Sequence, residues 1–338
     1  MTVLVAPDSF KGTFRATEVA AAIGRGLERA GRMPDLCPAA DGGDGTLEVL
    51  LTALGGETAA AEVRDPLGRS VQAGFGLIED GGTAVVEMAE ASGLHLVAPD
   101  ERDAEAASTF GTGELIIAAV EAGAQVVLVA VGGSATTDGG RGAIEAIDGA
   151  GGLRGAHMVV LVDVRTPFER AAEVFGPQKG ADDDAVARLT RRLHEQAAAL
   201  PRDPRGVPMT GGAGGLSGGL WAAYGARLVP GAAFVLDAVG FDERLARAAA
   251  VLTGEGRIDL QTTQGKVVGE VATRARQRGV PCSAIVGRRE LDRFGQRMLD
   301  LDAIREATTL EAIEDAAAEL GAALPAGPPA ARHRGDAG

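Results

Sequence analysis

Apolar and polar positions along the chain fall into two alternating textures. Residues 2–6 (TVLVA) form an unbroken apolar run of strand length. Residues 16–30 (ATEVAAAIGRGLERA) repeat apolar positions at helical spacing, with Val19, Ile23 and Leu27 on one face. Thr13 or Thr17 is placed to cap that helix. A second short strand over 36–41 (LCPAAD) and a helix over 46–54 (TLEVLLTAL) follow. This β-α-β-α opening predicts an α/β domain built on a largely parallel sheet.

The texture changes near residue 61. Residues 62–89 read as short strands joined by turns at PLG and EDGG, an antiparallel excursion that belongs to a second domain. Beyond it the pattern predicts a helix over 112–123 and strands over 125–133 and 157–164. Residues 182–200 form an amphipathic helix whose acidic first turn suits the helix dipole. Next come a strand and glycine loop over 249–256, a helix over 265–279, a strand over 281–287 and a last helix over 310–324. No internal repeat is visible. The 338 residues and 46% apolar content suffice for two domains with large cores. The expected division is discontinuous. Residues 1–60 and 245–324 form the parallel-sheet domain, and 61–244 a second α/β domain with a mixed sheet. The Pro-, Gly- and Ala-rich tail 325–338 reads as disordered.

Charge narrows the function. The net charge of −14 argues against a nucleic-acid partner, which needs a basic footprint. Aromatic residues make up only 3%, too few for base-stacking platforms. Cys37 and Cys282 lie far apart without CxxC spacing, so neither a disulfide framework nor a zinc site is expected. The N-terminus lacks the basic and apolar regions of a signal peptide, and no apolar stretch reaches membrane-span length. These readings point to a reduced, cytoplasmic setting. His95, His157, His194 and His333 stand alone outside the glycine motifs, which disfavours a Ser-His-Asp or Cys-His hydrolase.

The chain has 50 glycines, clustered in DGGDGT (41–46), GTG (111–113), GGSATTDGG (132–140), GPQKGA (176–181), TGGAGGLSGG (210–219) and TGEGRID (253–259). Four clusters follow apolar runs, the place where open α/β sheets bind ligands. Glycine there lets backbone N–H groups approach an anion. Only three of the 33 basic residues are lysines, and Lys11, Lys179 and Lys266 all touch glycine. A compact ammonium entering a tight anion pocket resists replacement by the larger guanidinium. No Walker A loop is present, since QGKV has Val after its lysine, and GTGELI lacks the third glycine of a dinucleotide fingerprint. Asp8, Asp41, Asp44, Asp138, Asp163, Glu255 and Asp259 lie at strand ends or in glycine loops. Carboxylates, lysines and hydroxyls in such loops suit phosphoryl transfer.

Seven motifs in register then carry a resemblance. APDSFKGT, ADGGDGT, EMAEASGL, TFGTGEL, GGSATTDGG, VFGPQKGA and TGEGRIDLQT followed by GK resemble the glycerate kinase family (type 1, ATP-dependent), from residue 1 to about residue 290. The resemblance implies two α/β domains, one flavodoxin-like (Rossmann-like) and one a distinct mixed unit, with the active site in the cleft between them. It implies Mg²⁺-dependent transfer of the ATP γ-phosphate to a hydroxyl of D-glycerate, with 2-phosphoglycerate the favoured product. Two departures stand out. The stretch DVRTPFERAAEVFGPQKGA (163–181) is short, with Thr166 where asparagine is expected, and GRREL follows residue 286 in place of a small-residue loop.

Glycerate is an anion and ATP a polyanion, so an acidic protein needs local cations to receive them. Lys11 and Lys179 are candidates for that neutralisation, and Lys266 sits at a helix start. Asp8 or Asp44 is the candidate base, and Asp163 or Asp259 the candidate Mg²⁺ ligand. Ser134 and Thr136 are candidate hydrogen-bond donors to the nucleotide phosphates. The binding set that goes with these motifs is completed by Ser9, Asp41, Thr46, Gly132, Gly133, Gly254 and Glu255. Two alternatives compete: a catalytically silent nucleotide- or organic-acid-binding protein of the same fold, and a lysine Schiff-base enzyme using pyridoxal phosphate.

Overall fold

A computed structural model of the chain describes residues 1–259, 262 and 265–325. The tail beyond Pro325 lies outside them, as do Leu260, Gln261, Thr263 and Gln264 of the TGEGRIDLQT…GK motif. The described residues form β1 (Thr2–Pro7), β2 (Met33–Leu36), β3 (Glu57–Arg64), β4 (Ser70–Ile78), β5 (Thr83–Glu87), β6 (Val126–Ala130), β7 (His157–Val162), β8 (Arg227–Pro230), β9 (Ala250–Ile258), β10 (Cys282–Arg289) and β11 (Ile304–Glu306). These strands build two sheets in two units, residues 1–41 with 235 onward, and residues 42–234.

The first unit holds a five-stranded sheet in the order β11-β10-β9-β1-β2. All its pairings are parallel. Counted within the unit, this is the doubly wound order 2-1-3-4-5 of flavodoxin-like folds. The direction of winding reverses between β1 and β9, which pair from Val3↔Ala250 to Pro7↔Gly254. The helix Ala16–Arg29 buries Val19, Ile23 and Leu27 as its spacing predicts. It lies so close to the helix Leu310–Ala323 that a Cβ on Gly26 would sit 2.1 Å from the Glu314 carbonyl oxygen. Neither Thr13 nor Thr17 caps it. Glu18 does so by accepting from the Arg15 amide at 2.9 Å.

The strand expected over 36–41 lies earlier, at Met33–Leu36 on the edge of the sheet. β2 ends at Leu36, yet Cys37 and Ala39 still donate to Val5 and Pro7 carbonyls at 2.8 and 2.9 Å. The chain therefore runs beside β1 as far as Ala39. The glycine loop expected after residue 253 is strand instead, since β9 continues to Ile258.

The second unit has a six-stranded sheet, β3-β4-β5-β6-β7-β8. Its first three strands form an antiparallel meander turning at Asp65–Gly68 and Glu79–Gly81, and β5 to β8 are parallel. The helix Thr46–Leu54 packs on β4 of this sheet, where a Cβ on Gly76 would come 2.4 Å from Leu47. The unit thus begins at Gly42 and ends at Phe234, against expected changes at 60/61 and 244/245. The helices Arg141–Gly149 and Leu216–Tyr224 escape a periodicity reading, because each opens in a glycine cluster that looks like loop. Among the described residues no helix is long and apolar enough to cross a membrane.

Candidate active site

In the first unit the site grows from the reversal point of the sheet. Asp8 follows β1 directly, and its amide still donates to Gly254 O at 2.8 Å. The next residues turn back on themselves, with Phe10 and Phe14 exchanging backbone hydrogen bonds at 2.8 and 3.0 Å. Gly12, at φ +78°, permits the turn. Lys11 stands at its tip. The loop lies on β9 because Gly256 has no side chain, and a Cβ there would meet Phe10 Cα at 3.2 Å. Gly254 plays the same part toward β10, where a Cβ would meet Ile285 O at 2.4 Å.

This folding gathers three carboxylates and two ammonium groups. Asp8 and Asp41 are buried, at 3% and 1% exposure, and Lys11 Nζ bonds Asp41 Oδ2 at 2.8 Å while staying half exposed. Burial, reinforced by the neighbouring charge of Asp41, holds the Asp8 carboxyl well above the usual carboxylate range, against the opposing pull of Lys11. Glu255, central in β9, is pushed up to about 7 by burial, although Thr262 Oγ1 donates to it at 2.7 Å and Lys266 opposes the shift. Ser9 Oγ is buried with no partner among the described residues. A cavity of about 530 Å³ opens here, lined by Asp8, Ser9, Lys11, Glu255, Lys266 and others. Arg257 and Arg288 also line it. Motif reading passed over both, and the signal available for Arg288 was the GRREL segment itself.

In the second unit a different cluster forms. Gly132 and Gly133 let the GGSAT loop touch the DGGDG loop, since Cβ atoms there would lie 2.3 Å from Gly43 Cα and 2.4 Å from Asp44 Oδ1. Asp44 itself is exposed. Lys179 is 2% exposed and donates to Ser134 Oγ at 2.8 Å and Thr136 O at 2.5 Å. Burial pulls its ammonium down to about 7. Asp138 accepts from the amides of Thr109, Gly140 and Gly142 and from the Thr109 hydroxyl, at 2.8–3.1 Å, so it anchors the start of Arg141–Gly149. The hydroxyls of Thr136 and Thr137 are buried without partners among the described residues. The buried hydroxyl of Thr46 donates to Gly43 O at 2.7 Å and closes the helix start. Glu87, which no motif reading singled out, ends β5 and accepts from Leu47 N at 2.8 Å. Burial pushes its carboxyl up to about 7.

Thus Asp8, Ser9, Lys11, Asp41, Gly254, Glu255 and Lys266 come together in the first unit. Asp44, Gly132, Gly133, Ser134, Thr136 and Lys179 belong to the second. The two candidate metal ligands part likewise. Asp259 lies just past β9 and pairs with Arg257 Nε at 3.3 Å, whereas Asp163 follows β7 in the second unit. No group of three or more His, Cys, Asp or Glu side chains among the described residues forms a metal cage. Cys37 and Cys282 are buried and free, and burial pushes the Cys37 thiol up to about 11.

Comparison with known proteins gives one consistent answer. The model of the "Glycerate kinase family" matches residues 3–151 and 150–324. A glycerate kinase of Halalkalibacterium halodurans is 39% identical over 325 residues, covering 85% of each chain. A glycerate 2-kinase of Escherichia coli is 37% identical over 326 residues, again covering 85% of each. A crystal structure of a protein assigned as glycerate kinase 2 from Salmonella typhimurium LT2 superposes with a TM-score of 0.79 at 35% identity. That match covers 95% of this chain and 97% of the other.

Proposed function

The chain belongs to the glycerate kinase family, and from this premise we propose that it transfers the γ-phosphoryl group of ATP to the 2-hydroxyl of D-glycerate. The products are 2-phosphoglycerate and ADP. The observation that carries the reading is the convergence of Asp8, Lys11, Glu255 and Lys266 on one cavity at the β1/β9 reversal point. Ligands of doubly wound sheets bind at this point, and phosphoryl transfer needs positioned cations and a carboxylate base more than covalent chemistry.

Asp8 is the base in this reading. Its raised pKa strengthens its hold on the proton that leaves the glycerate hydroxyl as the new O–P bond forms and the bond from Pγ to ADP breaks. Lys11 and Lys266 offset charge on the transferring group. Ser9 Oγ, buried and unpartnered among the described residues, is a donor for the same anion.

The donor set also fits Mg²⁺. Asp8, Asp41 and Glu255 are hard oxygen ligands close enough that, beyond the larger effect of burial, the charge of Asp41 helps raise the pKa of both Asp8 and Glu255. Glu255 and Asp259 are the residues that would hold the ion, within the one or two carboxylates that Mg²⁺ takes beside phosphate. When bound with ATP, the ion supplies electrostatic stabilisation of the phosphates. The reading places the enzyme in the cytoplasm, where its two thiols stay reduced.

The deciding experiment incubates the protein with D-glycerate, ATP and Mg²⁺ and locates the phosphate by phosphorus NMR. Signal for 2-phosphoglycerate is expected. A 3-phosphate product would correct the regiochemistry, and no transfer above background would end the kinase reading.

A further inference from the structure

Arg257 and Arg288 stand side by side on the wall of the same cavity. They are register partners on the parallel strands β9 and β10 and line the pocket together with Lys11 and Lys266. Four cations therefore meet in a protein whose net charge is −14. Like charges on neighbouring strands repel, so the fold gains nothing from this pairing.

Local acids do not account for it. Arg257 Nε lies 3.3 Å from Asp259, and Arg288 Nε lies 3.1 Å from Glu290. The arginine side chains are 57% and 73% exposed. Ion pairs this open contribute about 0–1 kcal/mol and hold a side chain weakly. Both guanidinium groups are free to turn toward an anion in the cavity.

The spacing selects the anion. Adjacent strands run about 4.8 Å apart, which lets two guanidinium forks take oxygens of neighbouring phosphoryl groups. Arginine is the side chain best matched to such bidentate contacts. A single carboxylate fills one fork and leaves the second like charge uncompensated. We propose that Arg257 and Arg288 form a clamp for the non-transferred phosphates of the nucleotide, beside the carboxylates and lysines that handle the transferred group. The assignment of the ligand as a nucleotide rests on the kinase reading above, while the affinity for linked phosphates rests on the arginine pair alone.

The test uses the full-length protein and the variants Arg257→Ala, Arg288→Ala and the double substitution. Calorimetry measures binding of inorganic tripolyphosphate and of ADP with Mg²⁺, neither of which needs turnover. Each single variant is expected to weaken both ligands about tenfold, the scale of one charged hydrogen-bond contact. The double variant is expected to weaken them at least about thirtyfold. In steady state the loss should fall on KM for ATP, with KM for glycerate within about twofold of wild type. Lysine at both positions should recover part of the affinity, as charge without the fork. Unchanged binding of tripolyphosphate and ADP would overturn the clamp even in a fully active kinase, as would a loss confined to KM for glycerate. Loss of tripolyphosphate binding in the double variant of a protein that phosphorylates nothing would uphold the clamp and defeat the kinase reading.

Discussion

Lys179 Nζ donates to Ser134 Oγ at 2.8 Å, and this contact decides what the serine has left to give. An oxygen that accepts from an ammonium must turn its own proton elsewhere, and the nearby cation makes that proton a stronger donor. Lys179 itself is buried and also donates to Thr136 O, so it ties two points of the GGSAT segment together.

Replacing Lys179 by methionine should therefore lower kcat by about a hundredfold, the cost of a misplaced loop. Ser134→Ala in the same background should add little, because the lysine acts through the serine. Fully additive losses in the double variant would show that the two residues act separately.

The same lysine makes a pH prediction for stability. Its ammonium titrates near about 7 in the folded chain against 10.5 ordinarily. Between those values the unfolded chain binds the proton and the folded chain does not, so this contribution to stability rises with pH. The unfolding free energy of wild type relative to Lys179→Met should be flat below pH 7 and grow from pH 7 to 10. A constant difference across that range would refute the assignment.

Glu87 gives the opposite sign. Its folded pKa is about 7 and its ordinary value 4.5, so the folded chain holds a proton that the unfolded chain has released. Stability from this group is full below pH 4.5 and is lost as pH rises through 7. Glu87→Gln keeps an acceptor for the Leu47 amide and carries no charge. Chemical denaturation should show it gaining on wild type from pH 4.5 to 7 and then levelling off.

Lys11→Ala should reduce turnover about a hundredfold, the scale of removing one charge-stabilising donor. The fold should survive, because the lysine is half exposed at a loop tip. Turnover near the wild-type rate, with circular dichroism unchanged, would remove Lys11 from the chemistry.

Two glycines separate packing from positioning. Gly254→Ala would drive a methyl group to 2.4 Å from the Ile285 carbonyl oxygen in the middle of the sheet. It should lower stability by roughly 2–3 kcal/mol. Gly256→Ala would press at 3.2 Å on Phe10 Cα and at 3.4 Å on the Lys11 amide. It should cost less stability and more turnover. Thermal melts and initial rates on both variants give the comparison.

How much of this was legible in the sequence follows from what each signal records. The unbroken apolar run of β1 and the spaced Val19, Ile23 and Leu27 announced an α/β unit, because burial sets those patterns directly. The gathering of Asp8, Ser9, Lys11, Asp41, Glu255 and Lys266 followed from glycine motifs at strand ends. Glu87 was missed because a lone carboxylate in the motif EMAEASGL gives no sign that a distant amide will meet it. Arg257 and Arg288 were missed because register between strands 31 residues apart is a tertiary fact. Arg141–Gly149 and Leu216–Tyr224 were missed because tight contacts demand glycine inside them. A Cβ on Gly219 would lie 2.3 Å from the Gly139 carbonyl oxygen.

The pairing of β1 with β9 has a consequence for synthesis. The strand that ends in Asp8 leaves the ribosome early, while its partner follows more than 200 residues later. The intervening second unit owns its sheet and can condense first, which brings the two flanking segments together as a short tether would. The entropy of closing so long a loop grows only logarithmically with its length. The cavity lined by Asp8, Lys11 and Glu255 is therefore the last part of the molecule to be finished, and a chain truncated before residue 250 should yield a folded insert without it.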